Sequence, residues 1–463
     1  MRTRRHLAAA AACLAGLAVW PAAALADHDD RVNFRLQGVG HSPNPASFLQ
    51  DPEGPAPAEV NTDIAFWGDL AFNGNYDGFR IIDIADPRDP REISHARCQG
   101  NQGDVVVWNT ILVRSWNSPA EAGATCDGDP VAEGFEGLHV FDISNPADPD
   151  LVASVETPCG SHTATGVPDV ANGRLLVYNQ GAGSLCRFLD IVEVPLANAA
   201  GARLVRQQTV EGASGCHDSG VILGDANMMV CASGSEANVF DIGENRWAGG
   251  TLERPQFLYT ITEPGVNRDD PAHRGSWHSA SFTWDGEVIV LGWEPGGGAQ
   301  PECEGTDPAF TKSAFFYDAE TGQKLGQWTL PRAQTAAENC TIHNYNVVPT
   351  TNGRYIMVSG NYQAGTWMTD FTTPDNPRTL AFSDPRPIEP TQLGGAWSSY
   401  WYNGFIYESS ITEGMNVFRA TGRANALTRR AMPLEHLNPQ TQEFTIGDDE
   451  EDDGEGDGED AAV

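Results

Sequence analysis

Gly78-Phe79-Arg80-Ile81-Ile82-Asp83-Ile84-Ala85-Asp86-Pro87-Arg88-Asp89-Pro90 returns as Gly137-Leu138-His139-Val140-Phe141-Asp142-Ile143-Ser144-Asn145-Pro146-Ala147-Asp148-Pro149. A short run of branched and aromatic residues favours extended backbone, and the acid and prolines that follow turn the chain, so the phrase reads as strand and turn. Looser copies lie at Arg187-Phe188-Leu189-Asp190, Asn238-Val239-Phe240-Asp241, Phe315-Phe316-Tyr317-Asp318 and Met368-Thr369-Asp370-Phe371. A last one, Met415-Asn416-Val417-Phe418-Arg419, has arginine in place of the acid. Two apolar runs precede each copy, as at 104–108 and 110–114, and one follows, as at 151–155. A unit of four strands repeated in this way predicts an all-β fold, a seven-bladed β-propeller of four-stranded antiparallel blades over residues 61–440, closed radially so that no long sheet edge is left. An open β-solenoid would need shorter and more uniform repeats.

A second pattern runs through the first strand of each unit. Asp63, Asp104, His162, His217, His278, His343 and Trp397 occupy one register position in successive units. In a propeller the first strands line the central channel, so side chains at their entry converge from neighbouring blades. Imidazole and carboxylate suit first-row transition metals. The four histidines, with Asp63 and Asp104, are therefore candidate ligands for iron, copper or zinc. Glu294 and Glu408, at second-strand ends on the same face, are candidates to orient the ligands or to accept a proton. The competing reading is a histidine repeated for packing alone; a purely structural device should recur more evenly than four histidines, two acids and a tryptophan. Trp277, Trp293, Trp397, Trp401 and Tyr402 are candidates to wall the mouth. Cys216-His217-Asp218-Ser219 is not expected to act as a catalytic group, because neighbours in a strand point to opposite faces. No phosphate-cradling glycine loop or dinucleotide fingerprint follows a strand.

The chain opens with Arg2, Arg4 and Arg5, an apolar run from Leu7 to Val19 and Ala24-Leu25-Ala26 before Asp27. This reads as a secretory signal over residues 1–26, its apolar run shorter than the roughly 20 residues of a membrane span. Formal net charge is −35, and the signal carries arginines but no acid, so the remainder is more acidic still. That balance excludes nucleic acid and anionic membrane as partners. Ten acids interleaved with glycine between Asp448 and Asp460 mark residues 441–463 as an acidic, solvated tail. Residues 27–60 form an N-terminal segment in which Val32 to Gln37 could close the ring by pairing with the last blade; Leu427 to Met432 is the other candidate.

Eight cysteines follow the signal, an even number in an exported chain. Cys98, Cys159, Cys216 and Cys340 precede first strands, whereas Cys126, Cys186, Cys231 and Cys303 fall near second-strand ends or in the loops after them. Those places share one face of a propeller. The expected pairs are Cys98 with Cys126, Cys159 with Cys186, Cys216 with Cys231 and Cys303 with Cys340, the last joining adjacent blades. No Cys-x-x-Cys pair supports a redox role.

The apolar-apolar-apolar-Asp phrase with its proline turn resembles the LVIVD repeat of secreted bacterial proteins, clearest at Phe79 to Pro90 and Leu138 to Pro149 and extending over roughly residues 60 to 440. The resemblance implies a propeller and an extracytoplasmic setting, with no activity attached. Together these readings predict a secreted or cell-surface binding protein, monomeric, without a membrane span, holding a metal in its channel and taking a small molecule, protein or glycan at its mouth. The alternative is a metal-dependent oxidoreductase or lyase built on the four histidines, similar in plan to carotenoid cleavage oxygenases, whose iron is held by histidines from successive blades. A third reading is a pure interaction platform.

Overall fold

The structure, a computed structural model, describes residues 31–44, 60–181, 186–210, 215–243, 248–263, 275–295, 298–388 and 393–447. The expected signal and most of the acidic tail lie outside the described residues. The fold is all-β, with a single α-helix, Gly422–Thr428, among the described residues. Antiparallel meanders follow one another along the chain. The first runs Asn61–Trp67, Leu70–Asn75, Gly78–Asp83 and Arg91–Arg97; the second runs Val105–Trp108, Ile111–Trp116, Gly137–Asp142 and Asp150–Glu156. Sheets beginning at Thr163–Asp169, Ser219–Ile222 and Ser276–Phe282 repeat the plan. A nine-stranded sheet contains the rest, its two meanders joined where Asn344–Val347 runs parallel to Ala396–Tyr402. The first strand of each meander contacts the first strand of the next, and Ala396–Tyr402 returns to Asn61–Trp67, which closes the ring of a β-propeller.

The repeated phrase is the third strand of its meander. Its acid is a turn former: Asp83 Oδ1 accepts the N–H of Ala85, Asp142 Oδ1 that of Ser144, Asp241 Oδ1 that of Gly243 and Asp370 Oδ1 that of Thr372. An aspartate side chain that binds the backbone two residues on mimics a turn, which explains why the strand stops there. Pairing with the fourth strand slips by one residue just before this acid, at Ile81/Ile82, Val140/Phe141, Val239/Phe240, Phe316/Tyr317 and Met368/Thr369. In the third unit the slip falls at Ile191/Val192. The counterpart of Asp83 is therefore Glu193, and the copy placed at Arg187 to Asp190 is corrected by three residues. The apolar run there continues to Pro195, so a match ending at the first acid stops too early.

The N-terminal segment closes the ring, at a shifted position. Leu36–Pro43 pairs antiparallel with Gly414–Ala420 in the last meander, whereas Val32–Phe34 pairs with Arg378–Asp384 in the preceding one. Arg80, fully buried, holds this closure by donating to Ser42 Oγ and the carbonyl of Pro43. Leu427 lies in the helix and completes no sheet.

Residues 434–447 are also built into the propeller, so the boundary drawn at 441 falls inside an ordered segment. His436–Leu437 pairs with Asn61–Trp67, and Thr441–Gln442 pairs with Ser219–Ile222. Between them the Asn438 amide donates to the carbonyl of Val107 and accepts its N–H, both at 2.8 Å. Thr441 Oγ1 donates to Gly166, and the Gln442 amide reaches Ser281 Oγ. The segment thus crosses inner strand after inner strand and floors the channel.

Disulfides join Cys98 to Cys126, Cys159 to Cys186, Cys216 to Cys231 and Cys303 to Cys340. Four bridges suit an oxidising, extracytoplasmic compartment. No helix among the described residues is long and apolar enough to cross a membrane.

Candidate functional site

The register residues of the inner strands meet. Asp63, Asp104, His162, His217, His278, His343 and Trp397 all line one cavity of about 330 Å³. The local backbone explains why. Pairing with the second strand slips around Asp63, His278 and Trp397, and the other four lie just ahead of their regular strands. At that point the N–H groups of His162, His217 and His343 bond to the carbonyls of Gln180, Ala232 and Gly360 at the end of the second strand. Side chains here are released from strand alternation and share one direction.

The four imidazoles form an arc, with ring centroids 4.6 Å apart for His162 and His217, 4.1 Å for His217 and His278, and 4.4 Å for His278 and His343. Two sets of donors have ligand atoms within 4.8 Å of one another: His278, Glu294 and His343, and His217, Asp218 and His278. In the first set His278 Nε2 lies 3.7 Å from Glu294 Oε2, and His343 Nε2 lies 4.0 Å from Oε1. His343 Nδ1 bonds the carbonyl of Trp397 at 2.5 Å, which leaves Nε2 toward the glutamate. His278 Nδ1 is buried and has no hydrogen-bond partner among the described residues.

His162 enters neither set, and its Nδ1 faces Asn117 Oδ1 at 3.2 Å. Asp63 and Asp104 also stay outside both. Asp63 accepts bonds from Tyr400, Gln440 and Ile64, and Asp104 accepts the N–H groups of Val105 and Ala164. They brace the first two units against their neighbours while facing the cavity.

Electrostatics divide these groups by role. Burial holds His162 and His278 well below the ordinary imidazole range and brings His343 to about 4, so these rings are neutral with a lone pair to give. For His217 burial also opposes charge, but the hydrogen bond and charge of Asp218 outweigh it and the pKa rises. Burial pushes Glu294 up to about 7, and it raises Asp104 well above the carboxylate range, with Asp63 adding to the effect. Among the described residues lining the cavity there is no lysine or arginine. A cavity of buried acids and three neutral imidazoles, with no lysine or arginine among its described lining residues, can accept a bound cation.

Several site residues escaped the sequence reading. Asp218 was set aside by strand alternation, but the regular strand starts at Ser219, and in the turn before it His217 Nδ1 and Asp218 Oδ1 meet at 3.0 Å. Tyr76, Tyr362, Leu393 and Gln440 also line the cavity, and no residue pattern marks them. Glu408 is corrected: it lies outside the cavity lining, its oxygens bonded to Thr366 Oγ1 at 2.5 Å in the preceding meander of the nine-stranded sheet and to Asn416 Nδ2 at 2.8 Å on the next strand of its own meander. Of the five aromatics expected to wall the mouth, Trp397 lines the cavity and Trp277, Trp293, Trp401 and Tyr402 do not. Trp277 and Trp293 pack edge to face at 5.3 Å in one core cluster, and Trp401 and Tyr402 belong to the largest. His139 approaches Cys98 and Cys126, but their sulfurs are tied in a disulfide and offer no thiolate.

The LVIVD repeat family model matches residues 131–157, which span the second copy of the phrase. No curated relative matches the sequence. Among solved structures the chain is similar to the N-terminal domain of Nup159, at 9% identity and a TM-score of 0.44, over 85% of this chain and 96% of that one. It is similar to a second structure, S. cerevisiae Dbp5 bound to Nup159, Gle1, IP6 and ADP, at 9% identity and a TM-score of 0.43 over the same shares.

Proposed function

We propose that this is an exported, seven-bladed propeller of four-stranded blades, acting as an extracellular or cell-surface binding protein whose channel holds one transition-metal ion. The nine-stranded sheet counts as two blades in this reading, the last completed by Leu36–Pro43. The observation that carries the proposal is the set His278, Glu294 and His343, three buried donors with ligand atoms within 4.8 Å, the first two from one unit and the third from the next. Two imidazoles and a carboxylate suit iron(II), zinc or copper and leave coordination positions free for a ligand entering from the mouth. His217 and Asp218 stand beside that set as a hydrogen-bonded pair. His162, Asp63 and Asp104 shape the wall. The segment that floors the channel leaves a blind cavity with the stapled loops around its entrance.

The test is elemental analysis of the full chain, exported into an oxidising compartment and purified without added metal, beside a variant with His278→Ala and His343→Ala. The expected result is about one iron, copper or zinc per wild-type chain and none in the variant. A wild type without metal, with a variant of lowered stability only, would make the ring structural.

A further inference from the structure

One sector of the register ring differs in kind from the rest. Six units present an acid or an imidazole to the cavity, and the seventh presents the Trp397 indole. This ring lies against the metal-binding set, its centroid 5.0 Å from that of His343 in an edge-on arrangement. Tyr362 stands beside both, 4.4 Å from His343 and 6.2 Å from Trp397. Trp397 and Tyr362 form, with Val60 and Ile411, a small apolar cluster separate from the large cores between sheets, and Tyr76 and Leu393 pack against it.

Tyr362 is held there against a backbone preference. Its φ is +49°, the left-handed region that a bulky residue rarely enters. Reciprocal backbone bonds with Ala396, both 2.8 Å, fix the conformation. The phenol then donates to Glu294 Oε1 at 3.2 Å, over Gly298, where a β-carbon would come within 2.5 Å of the tyrosine oxygen. Strain kept at a cavity wall and over-determined by its surroundings is the pattern of a working surface.

We infer that the cavity takes a small, flat, apolar ligand with an anionic oxygen donor: the oxygen binds the metal and the ring lies in the sector of Trp397, Tyr362, Tyr76 and Leu393. This inference rests on the metal reading and names the ligand class for the same site. A volume of about 330 Å³ admits a single-ring compound, and the metal set borders the apolar sector directly, so one such molecule reaches both. Asp63 and Asp104 line the same cavity, and among its described lining residues no lysine or arginine is present to hold an anion without the metal.

The experiment uses the full chain with its metal content measured in every sample, and two probes with the same metal-binding group, benzohydroxamate and acetohydroxamate, followed by calorimetric titration. Burying one aromatic ring predicts that benzohydroxamate binds about 10- to 100-fold more tightly. Trp397→Ala should abolish most of that preference. Leu393→Asn, at the half-buried edge of the sector, should reduce it without touching the indole, which keeps the test valid if the tryptophan variant fails to fold. Equal affinities in a metal-loaded wild type overturn the ligand class and leave the metal reading standing. A preference that survives both substitutions in folded, metal-loaded protein also overturns it. A chain that holds no metal removes both.

Discussion

Replacing Asn438 by alanine is a stringent test of the floor of the channel. Asn438 is 2% exposed, and its side-chain amide stands where a neighbouring strand would be, giving one hydrogen bond to and taking one from Val107, each 2.8 Å. Val107 is fully buried on an inner strand, so water cannot replace what is lost. Leaving a buried donor or acceptor unpaired costs about 1–3 kcal/mol, so two orphaned groups predict a loss of about 2–6 kcal/mol. Asn438→Asp sharpens the test. It keeps an acceptor for the Val107 N–H but turns a second oxygen toward the Val107 carbonyl, so it should destabilise at least as much as alanine near neutral pH. The assay is chemical denaturation followed by tryptophan fluorescence, with the midpoints of both variants compared with wild type at matched slope. A change below about 0.5 kcal/mol, the range of ordinary surface substitutions, in both variants would refute the claim that this segment is an integral part of the ring.

Other outcomes follow from described features. Burial lowers His139 to about 3, with Arg114 adding to the effect, so the fold holds it neutral: its contribution is complete above the ordinary histidine pKa and is lost as pH falls toward 3. Between pH 7 and pH 4 that linkage is worth on the order of 3 kcal/mol, and His139→Asn should flatten the acid side of a melting-temperature profile; an unchanged profile counts against it. Deleting residues 31–44 removes the strand that completes the last sheet and strips Arg80 of two acceptors. At about 1 kcal/mol per ladder hydrogen bond, roughly 5 kcal/mol should disappear; a chain that melts as before would mean that the ring closes without them.

The third strands were legible because their chemistry is local: an apolar run, an acid that caps its own turn, a proline. The cavity register was legible for a related reason, since each position lies where an inner strand begins or slips and only a polar or aromatic side chain is useful there. Reading failed where geometry overrides local pattern. Glu193 was hidden behind Asp190 because the third unit carries a longer strand. Asp218 was hidden because alternation does not apply one residue before a strand begins. Tyr362 owes its place to a left-handed backbone, and Gln440 to a segment arriving from far along the chain. Neither leaves a sequence mark. Glu408 looked equivalent to Glu294 by position, yet Thr366 and Asn416 claim its oxygens.

Pairing between Leu36–Pro43 and Gly414–Ala420 has a kinetic meaning as well. The ring cannot be completed until residues near both ends of the chain are present together, and contacts so distant in sequence form slowly because a long loop must be closed first. A polypeptide emerging from its N-terminus carries Leu36–Pro43 without a partner until almost all of it has been delivered. Premature closure is thereby prevented, and completion of the ring is deferred until nearly the whole chain is present.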